Sequence, residues 1–528
     1  MPEGAPPRGR RGRAPAAGLA AALLLAAGPG AAAPPDAAAL YARHCARCHG
    51  AERLGGMGPA LLPENLRRLK RDRAAAVIRD GRPATQMPAF GARLDRAAVD
   101  ALVAYIYRPP ARPPRWGLAE IRRSHRLQVK PADLPPRPVH GADPLNLFVV
   151  VETGDHHATI LDGDRFVPLV RFPTRYALHG GPKFSPDGRF VYFASRDGWI
   201  SLYDLYSLQT VAEVRAGINT RNAAVSSDGR YVAVGNYLPH SLVILDARDL
   251  RPLRVLPAAD ADGHGSRVSA VYDAAPRQSF IVALKDVKEA WEIPYGEDAE
   301  PVYPGLVHDY RLGEGLAETG PFPIRRIPLD DYLDDFFFDP PYRHLIGAAR
   351  NGRNAQVIHL DARRRIATLD LPGLPHLGSG ISWVHRGRRV LATPNLRTAE
   401  VSVIDMGDWR ILKRIKTLGP GFFMRSHERS RYAWVDVFFG PHRDAVHVID
   451  KQRLEIVRTL RPAPGKTAAH VEFTRDGRYA LLSIWDMDGA LVVYDAATLE
   501  EVKRIPMKKP SGKYNVYNKI TRSEGTSH

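Results

Sequence analysis

From about residue 145 to the carboxyl end, apolar and polar positions alternate in short runs that are bounded by turn residues. Alternation of this kind predicts half-buried β-strands. The runs recur in one local order: a turn containing Gly-Arg, an alternating strand, a second strand that leads to an Asp, and a further strand. The clearest strands that end in Asp are 241–246, 401–405, 445–450 and 490–495.

The turns themselves repeat along the chain. Three well-preserved copies read Asp-Gly-Arg and end at Arg189, Arg230 and Arg478. Weaker copies lie at Arg277, Arg343, Arg388 and Arg431. Successive arginines are 41 to 47 residues apart, except for one step of 66. A repeat of this length built from short strands is typical of a β-propeller. Counting 147–161 as the first blade predicts eight blades, and seven blades remain an alternative.

The 66-residue step predicts an insertion at 288–328, which is rich in Pro, Glu and Tyr. A loop of this length on a propeller face more often serves a site or a partner than the fold itself.

The amino-terminal 144 residues follow a different pattern. Residues 38–44 and 95–107 have the apolar spacing of helices. Paired prolines make 109–144 a predicted linker, because they cannot continue a helix. We therefore predict a small all-α domain over 34–108, followed by an all-β propeller over 145–528.

The first 33 residues predict an export signal. Four arginines within residues 1–13 precede an apolar Ala/Leu-rich run at 14–27, and three alanines follow at 31–33. A basic start, a short apolar middle and a small-residue end describe a secretory signal peptide. The run is too short to span a membrane, and no later stretch approaches 18 apolar residues. We expect a soluble periplasmic protein without a transmembrane segment.

The net charge of the chain indicates which kinds of ligand it could bind. The chain has 528 residues and a net charge of +18, with 44% hydrophobic and 25% charged residues, so it can form a core. Loss of residues 1–33 would remove four arginines and one glutamate and leave about +15. An exported chain without a basic low-complexity arm disfavours nucleic acid. A ligand that carries carboxylates, or an acidic redox protein, fits this charge better.

Both cysteines of the chain lie in one motif, Cys-x-x-Cys-His at 45–49. In such a motif the thiols of Cys45 and Cys48 form thioethers with heme vinyl groups, and His49 binds the iron. A redox Cys-x-x-Cys is disfavoured, because the His follows directly and no βαβ pattern surrounds it. The motif predicts one covalent heme c, and two cysteines exclude a disulfide-stapled scaffold.

The flanks of this motif look like a class I cytochrome c, whose iron takes a sixth ligand from a loop. Met87 precedes Pro88 between the two predicted helices, and a Met in such a loop is the usual ligand. Met57 and, more remotely, His44 are alternatives, and Met87 could instead fill the core.

A cytochrome c followed by an eight-bladed propeller resembles the cytochrome cd1 family, which contains nitrite reductases and relatives in heme d1 maturation. The resemblance covers nearly the whole mature chain. It is carried by Trp-Gly-Leu-Ala-Glu-Ile-Arg at 116–122, by the carboxyl-terminal segment 509–518, and by shorter matches at 196–198, 237–239 and 483–485. Family members hold a second, non-covalent heme in the centre of the propeller. That heme is an isobacteriochlorin with several carboxylates, which suits a basic chain.

The resemblance also implies residues for this second heme. The segment Arg-Tyr-Ala-Leu-His at 175–179 matches the one that supplies the proximal ligand, which implies His179 as the iron ligand. Guanidinium forks pair well with carboxylate arms. The arginines that match the pocket of the family are Arg175, Arg196, Arg221 and Arg267, and their alternative place is a solvated blade surface.

At one distal position the chain departs from the reductases, which present two histidines to nitrite. His376 is retained, whereas Asp334 stands at the second position. A carboxylate there would repel an anionic substrate. The resemblance therefore implies the maturation activity, in which a propionate arm of dihydro-heme d1 is oxidised to the acrylate of heme d1.

The same resemblance assigns roles to further residues. His376 is the candidate base, because imidazole titrates in the required range. His470 and Tyr514 lie in segments that match the last blade and the tail of the family, and either could hold a carboxylate arm. Heme c would pass electrons outward.

The partners implied are a tetrapyrrole (dihydro-heme d1 as non-covalent substrate, heme d1 as product), a soluble electron acceptor, and nitrite reductase or other maturation proteins. A nitrite reductase with one distal His, a non-enzymatic heme d1 carrier, and a propeller without a heme remain alternatives.

Overall fold

A computed structural model describes residues 35–67, 69–82, 87–178, 181–303, 317–318, 321–348 and 354–522. The predicted signal peptide lies outside these ranges. Among the helices they contain, none is both long and apolar enough to cross a membrane.

The amino-terminal part is helical, as the apolar spacing predicts. Its helices are α1 Ala37–His44, α2 Ala46–His49, α3 Pro63–Leu66, α4 Arg71–Asp80 and α5 Arg96–Ile106. The side chain of Asp95 accepts a hydrogen bond from the backbone of Ala98 at 2.8 Å and caps α5, so this helix begins one residue later than the predicted 95–107. Helices α1 and α5 bury Tyr41 and Leu102 in a common apolar core.

Eight antiparallel sheets follow and confirm the prediction of eight blades. Blades 1 and 2 contain β2 Leu147–Glu152, β3 His157–Asp162, β4 Val167–Pro173, β5 Lys183–Phe184, β6 Phe190–Ala194, β7 Trp199–Asp204 and β8 Gln209–Arg215. Blades 3 and 4 contain β9 Asn219–Val225, β10 Tyr231–Leu238, β11 Ser241–Asp246, β12 Pro252–Pro257, β13 Val268–Ala274, β14 Ser279–Leu284, β15 Glu289–Pro294 and β16 Arg325–Pro328.

The second half of the ring has the same plan. Blades 5 and 6 contain β17 Asp335–Phe338, β18 His344–Ala348, β19 Ala355–His359, β20 Arg364–Leu369, β21 Ile381–His385, β22 Arg388–Pro394, β23 Glu400–Asp405 and β24 Arg410–Lys416. Blades 7 and 8 contain β25 Met424–Arg425, β26 Tyr432–Asp436, β27 Val446–Asp450, β28 Glu455–Leu460, β29 Ala468–Phe473, β30 Tyr479–Ile484, β31 Gly489–Asp495 and β32 Glu501–Met507.

The carboxyl end closes the ring. Strand β33, Pro510–Asn515, pairs antiparallel with β2 and completes blade 1, with Asn515 opposite Phe148. A short helix, α7 Val516–Ile520, follows. Blade 1 therefore joins both ends of the propeller sequence, which protects the edges that an open ring would expose.

The segment predicted as a linker, 109–144, has structure of its own. It contains helix α6, Leu118–Ser124, and a short strand that we number β1, Arg126–Leu127. Strand β1 pairs with β8 and adds a fifth strand to blade 2. The segment is therefore packed against the ring.

The repeated turns are stabilised by hydrogen bonds and ion pairs with aspartates. In the first copy, Asp187 accepts hydrogen bonds from the hydroxyl of Ser185 at 2.5 Å and from the backbone of Arg189 at 3.1 Å, while Gly188 has a φ of +75° that favours glycine. In three blades the arginine that ends the turn pairs with the aspartate that ends the third strand. Such pairs are Arg189–Asp204 at 2.7 Å, Arg388–Asp405 at 2.8 Å and Arg431–Asp450 at 2.6 Å.

The propeller core lies in the apolar layers between neighbouring blades. Trp291 packs between blades 3 and 4, Trp383 between blades 6 and 7, and Trp434 between blades 7 and 8, each almost fully buried. A single blade could not bury such a face alone, which is why the blades form a ring.

Arg215, at the end of β8, connects the helical part to the propeller. Its guanidinium donates hydrogen bonds to the carbonyl of Asp197 at 2.8 Å and to the carbonyl of Leu54 in the helical part. The same group lies 4.6 Å from the centre of the Trp116 ring. Only 5% of Arg215 is exposed, so this contact is a buried one.

Apolar and polar contacts extend this junction. Leu62 packs against Ile218 of the propeller, whose carbonyl accepts a hydrogen bond from Asn65 at 3.4 Å. Arg82 donates to the hydroxyl of Tyr176 at 3.1 Å. The helical part therefore rests on blades 2 and 3 and on the segment that precedes β5.

Candidate functional site

The Cys-x-x-Cys-His motif forms one turn of helix at the start of the helical part. Cys45 lies between α1 and α2, and Cys48 and His49 lie on α2. His49 is buried, and its Nδ1 donates a hydrogen bond to the carbonyl of Pro59 at 2.7 Å. Because a carbonyl oxygen can only accept, Nδ1 carries the proton and Nε2 keeps its lone pair for a metal. Burial lowers the pKa of His49, which keeps the imidazole neutral.

This donor set fits a covalent heme c, since it offers two thiols and one oriented, neutral imidazole. The three candidates for the sixth ligand differ in their surroundings. Met87 is half-buried against the helical core, Met57 is 60% exposed, and the ring of His44 packs 5.9 Å from that of Phe90. Met87 stays the predicted ligand.

A second group of polar side chains comes from the inner strands of the propeller, and each of the eight blades contributes one. In ring order from blade 1 to blade 8, these are Tyr514, Lys183, Arg221, Tyr272, Asp335, His376, Arg425 and His470. Helix α7 adds Lys519. We call these nine residues the axial cluster.

Electrostatic interactions between distant blades show that the axial cluster converges on the ring axis. Burial lowers the pKa of Lys183 to about 8; the charge of Asp335 opposes this effect and that of Arg425 adds to it. These three residues belong to blades 2, 5 and 7, which are not neighbours in the ring. Side chains of such blades influence one another because they meet near the centre.

Several side chains of the axial cluster keep accessible surface although protein atoms surround them. Lys183, Tyr272, His376, Tyr514 and Lys519 are all half-buried, so each keeps accessible surface. Burial is nevertheless the largest cause of the pKa shift in every one of them. Groups that keep accessible surface and are yet poorly solvated can be stabilised by a ligand that replaces the missing water.

The chemistry of the axial cluster suits an anionic ligand. The Asp335 carboxylate accepts hydrogen bonds from the hydroxyl of Tyr272 at 2.8 Å and from the backbone of Gly378 at 3.0 Å. Burial lowers the pKa of both Lys183 and Lys519, because their charged forms are poorly solvated. Carboxylates brought in by a ligand would stabilise these charges.

His376 is held in one orientation just before β21. Its Nδ1 donates to the carbonyl of Phe422 at 2.6 Å, and the two rings lie 4.3 Å apart. Burial lowers the pKa of His376, while the charge of Asp335 acts in the opposite direction. The ring is therefore neutral near pH 7, with Nε2 as a proton acceptor.

His470 is placed by a β-bulge. Ala469 pairs with Ser483 and Val471 with the next residue, Leu482, so His470 is the extra residue in β29. Its φ of +55° lies in the left-handed region. The ring packs 5.1 Å from that of Tyr514, and its buried Nδ1 has no hydrogen-bond partner among the described residues.

Charge and burial keep His470 neutral as well. Burial lowers its pKa far below the ordinary value, and the positive charges of Lys513 and Arg425 add to the effect. Burial also raises the pKa of Tyr514 to about 12, so the phenol keeps its proton and can donate a hydrogen bond.

The carboxylate of Asp436 binds backbone groups that hold His376 and His470. Its Oδ1 accepts hydrogen bonds from the backbone N–H groups of Phe422 at 2.7 Å and Phe423 at 3.1 Å, and its Oδ2 accepts from that of His470 at 3.2 Å. Only 1% of Asp436 is exposed, and burial raises its pKa to about 6.

The predicted site residues fall into two groups. His376, His470, Tyr514 and Arg221 come together in the axial cluster, whereas His179 lies outside the described residues. Gly181, two residues further on, packs against the Tyr514 ring; a Cβ at this glycine would lie 2.9 Å from Cε1 of that ring. The chain therefore lies close to the axial cluster at position 181.

Two of the predicted pocket arginines already have carboxylate partners. Arg175 forms two hydrogen bonds with Glu213, at 2.8 and 2.5 Å, and its guanidinium lies 4.0 Å from the centre of the Trp199 ring. Arg267 pairs with Asp286, 2.8 Å from its Nε. Their contacts with a tetrapyrrole stay predictions.

The backbone N–H of Arg196 donates to the carbonyl of Ala177 at 3.1 Å and so braces the segment before position 179. A role of the Arg196 side chain at a tetrapyrrole also stays a prediction.

Sequence reasoning missed five members of the axial cluster: Lys183, Tyr272, Asp335, Arg425 and Lys519. It singled out Asp334 instead, which forms an ion pair with Lys285, while the next residue along the strand joins the cluster. The available signal was position, since every member except Lys519 lies in, or just before, the strand nearest the axis in its blade.

A helical domain with a heme c motif, packed on an eight-bladed propeller whose axis is lined by ionisable groups, defines a class of protein: cytochromes that hold a second ligand in a propeller. Comparison with known families agrees. Residues 142–308 and 315–519 match the cytochrome D1 heme domain. Residues 32–106 match subunit III of cbb3-type cytochrome c oxidase.

The chain belongs to the cytochrome D1 heme domain family. It is 62% identical, over 97% of its length and 99% of the relative, to dihydro-heme d1 dehydrogenase from Pseudomonas aeruginosa. It is 25% identical, over 91% of its length and 92% of the relative, to nitrite reductase from Stutzerimonas stutzeri. A solved structure described as dihydro-heme d1 dehydrogenase NirN in complex with DHE matches 91% of this chain and 99% of its own, with 62% identity and a TM-score of 0.86.

Proposed function

We propose that this protein is a dihydro-heme d1 dehydrogenase, which oxidises one propionate arm of dihydro-heme d1 to the acrylate of heme d1. The observation that carries this proposal is the 62% identity to such an enzyme over nearly the whole chain. It is supported by the neutral imidazole of His376, whose Nδ1 is held by the Phe422 carbonyl and which lies in the same cluster as Arg221 and Arg425.

In this reaction the two saturated carbons of the arm become a double bond, so two protons and two electrons leave. His376 accepts one proton at Nε2, because its Nδ1–H is held by the Phe422 carbonyl. The second proton is released to solvent. A fixed tautomer next to the arm lowers the barrier by keeping the acceptor in place.

Binding and orientation of the substrate fall to the rest of the axial cluster. Lys183 and Lys519 are poorly solvated amines, and a carboxylate arm of the substrate would stabilise their protonated forms. His470 and Tyr514 donate hydrogen bonds to a carboxylate, since both are uncharged and lie ring to ring at 5.1 Å. His179 is the proposed iron ligand.

Heme c would be attached to Cys45 and Cys48 and held by His49 and Met87, and it supplies a one-electron acceptor that passes electrons on. We propose that a soluble redox protein in the periplasm takes these electrons, in line with the predicted export signal. Delivery of heme d1 to nitrite reductase or to other maturation proteins belongs to the same proposal.

The decisive experiment incubates the heme c-loaded protein with dihydro-heme d1 and an oxidant and measures the mass of the tetrapyrrole. We expect a loss of two mass units. The His376→Ala variant should bind the tetrapyrrole but convert it about 100- to 1,000-fold more slowly, as expected for the loss of a general base. His264→Ala, at an exposed surface position, is the matched control and should behave as wild type.

Two outcomes would contradict the proposal. Rapid nitrite turnover by the same sample loaded with heme d1, without any change in the mass of dihydro-heme d1, would identify a reductase. Binding of the tetrapyrrole without either reaction, and unchanged by His376→Ala, would identify a carrier. The family resemblance favours the dehydrogenase over the reductase, because it puts Asp334 where the reductases have a second distal histidine.

A further inference from the structure

We infer that Asp436 is a positioning residue that holds both His376 and His470 in place through a single buried carboxylate. The inference rests on the proposed function, since it concerns the two histidines of that site. Asp436 reaches neither histidine ring; it acts on the backbone groups that carry or support them.

Oδ1 of Asp436 acts on His376 through the backbone of Phe422. Oδ1 of Asp436 holds the N–H of Phe422 at 2.7 Å, and the carbonyl of Phe422 accepts the Nδ1–H of His376 at 2.6 Å. Oδ1 also holds the N–H of Phe423 at 3.1 Å, so the segment before β25 is fixed at two consecutive residues. The orientation of the His376 ring therefore depends on where Asp436 places Phe422.

Oδ2 of Asp436 acts on the backbone of His470. This residue is the bulged one of β29, so its N–H is not paired with β30, and Oδ2 of Asp436 accepts it instead at 3.2 Å. A non-glycine residue in the left-handed region is strained and persists only where its surroundings hold it. Asp436 supplies one of those holds.

Lys513 supplies the other hold. Its Nζ donates to the carbonyl of His470 and to the hydroxyl of Ser483 at 2.8 Å, and the residue is fully buried. The backbone of His470 is thus held at its N–H by a carboxylate and at its carbonyl by an amine. Buried charged groups add little net stability when they are compared with apolar residues, so a role in specifying geometry is the better explanation.

The two oxygens of Asp436 have separate tasks, and this makes the inference testable. Asp436→Asn keeps an acceptor for Phe422 and Phe423 but puts an NH2 group, which cannot accept, opposite the N–H of His470. The variant should therefore release His470 and leave His376 in place. Asp450→Asn is the matched control: Asp450 lies in the same blade, is fully buried, and accepts from two backbone N–H groups at 2.8 and 3.0 Å, but it pairs with Arg431 at the outer side.

Three measurements on the heme c-loaded full-length protein test the inference: dihydro-heme d1 affinity by absorbance titration, the single-turnover rate of the two-mass-unit loss, and histidine C2-hydrogen exchange followed by mass spectrometry. For Asp436→Asn we expect a rate about 10- to 100-fold lower with an affinity within about threefold of wild type. The exchange rate of His470 should change and that of His376 should not. Asp450→Asn should leave all three readouts unchanged.

A wild-type rate in Asp436→Asn, or equal changes in both variants, would overturn the inference. If Asp436→Asn does not fold, Asp436→Glu replaces it, because this change keeps the charge and both acceptors and moves them by one methylene. Failure of the proposed function is recognised separately: wild-type protein would then show no mass loss, while histidine exchange would still report whether Asp436 holds His470.

Discussion

Removal of Arg215 should separate the cytochrome domain from the propeller. Arg215→Ala deletes a guanidinium that is 5% exposed, donates to the carbonyls of Asp197 and Leu54, and lies 4.6 Å from the centre of the Trp116 ring. The substitution leaves both carbonyls without this donor in a buried place. It also removes a positive charge that counteracts the effect of burial on the pKa of Asp197.

The size of the effect follows from these contacts. A hydrogen bond from a charged donor contributes about 1.5 to 3 kcal/mol. Of the two that Arg215 donates, the one to Leu54 crosses between the domains, whereas the one to Asp197 stays within the propeller. The cation–ring contact with Trp116, worth about 1 to 2 kcal/mol, lies within the propeller and the segment packed on it, so it stabilises that part of the chain. Part of this is offset, because burying the guanidinium is itself costly. We therefore expect Arg215→Ala to weaken the contact between the domains by about 1.5 to 3 kcal/mol.

Urea unfolding with two probes measures this effect. Soret absorbance of heme c follows the cytochrome domain, and tryptophan fluorescence follows the propeller, since all seven tryptophans lie at or beyond residue 116. In wild type the two curves should coincide, and in Arg215→Ala the Soret curve should move to lower urea. Arg248→Ala is the control, because this side chain is 75% exposed in its pair with Asp246 and should have an effect below about 1 kcal/mol. Coincident, unshifted curves in Arg215→Ala would refute the reasoning.

Three further predictions follow from the site. Burial raises the pKa of Asp197 from 3.8 to about 6, so between these pH values the folded protein holds a proton that the unfolded chain releases. The free energy of unfolding, compared with that of Asp197→Asn, should therefore fall by at most about 3 kcal/mol as the pH rises from about 4 to 6. A pH-independent difference between the two proteins in urea unfolding would contradict this. Met87→Ala should change the visible spectrum of heme c and Met57→Ala should not; the reverse result would make Met57 the ligand. Burial lowers the pKa of Lys183 to about 8, so the affinity of the wild-type protein for the tetrapyrrole, measured by titration, should decline above pH 8. Lys183→Met should bind the tetrapyrrole about 10-fold more weakly and show no such decline. A decline in both proteins would exclude Lys183 as its cause.

Local patterns along the chain predicted most of the fold. Helix spacing, the Cys-x-x-Cys-His motif and the Asp-Gly-Arg turns each depend on residues that are close in sequence, and the turn of Asp187 with its neighbours Ser185 and Arg189 shows why such a pattern is self-contained. The interval between turns then predicted eight blades, because each blade is one unit of the same local structure.

The candidate site depended on the sequence only in part. His376, His470 and Tyr514 could be proposed from a family resemblance, and the structure brings them into the axial cluster. The other members come from separate blades, and no local pattern marks them. Whether a side chain faces the axis depends on the pairing and twist of its strand, which is why the structure distinguishes Asp335 from its neighbour Asp334.

The partners of charged residues were decided by the tertiary structure alone. The sequence by itself shows that Arg175 and Arg267 are basic, but only the folded ring places Glu213 and Asp286 against them. In the same way, only the structure shows that Asp436 accepts a hydrogen bond from the N–H of His470, which is 34 residues away on the next blade. The hydrophobic period and the turn residues depend on neighbours in sequence, so a sequence pattern can show them. The electrostatic surroundings of a buried group depend on charges from distant segments, which come together only when the ring is folded.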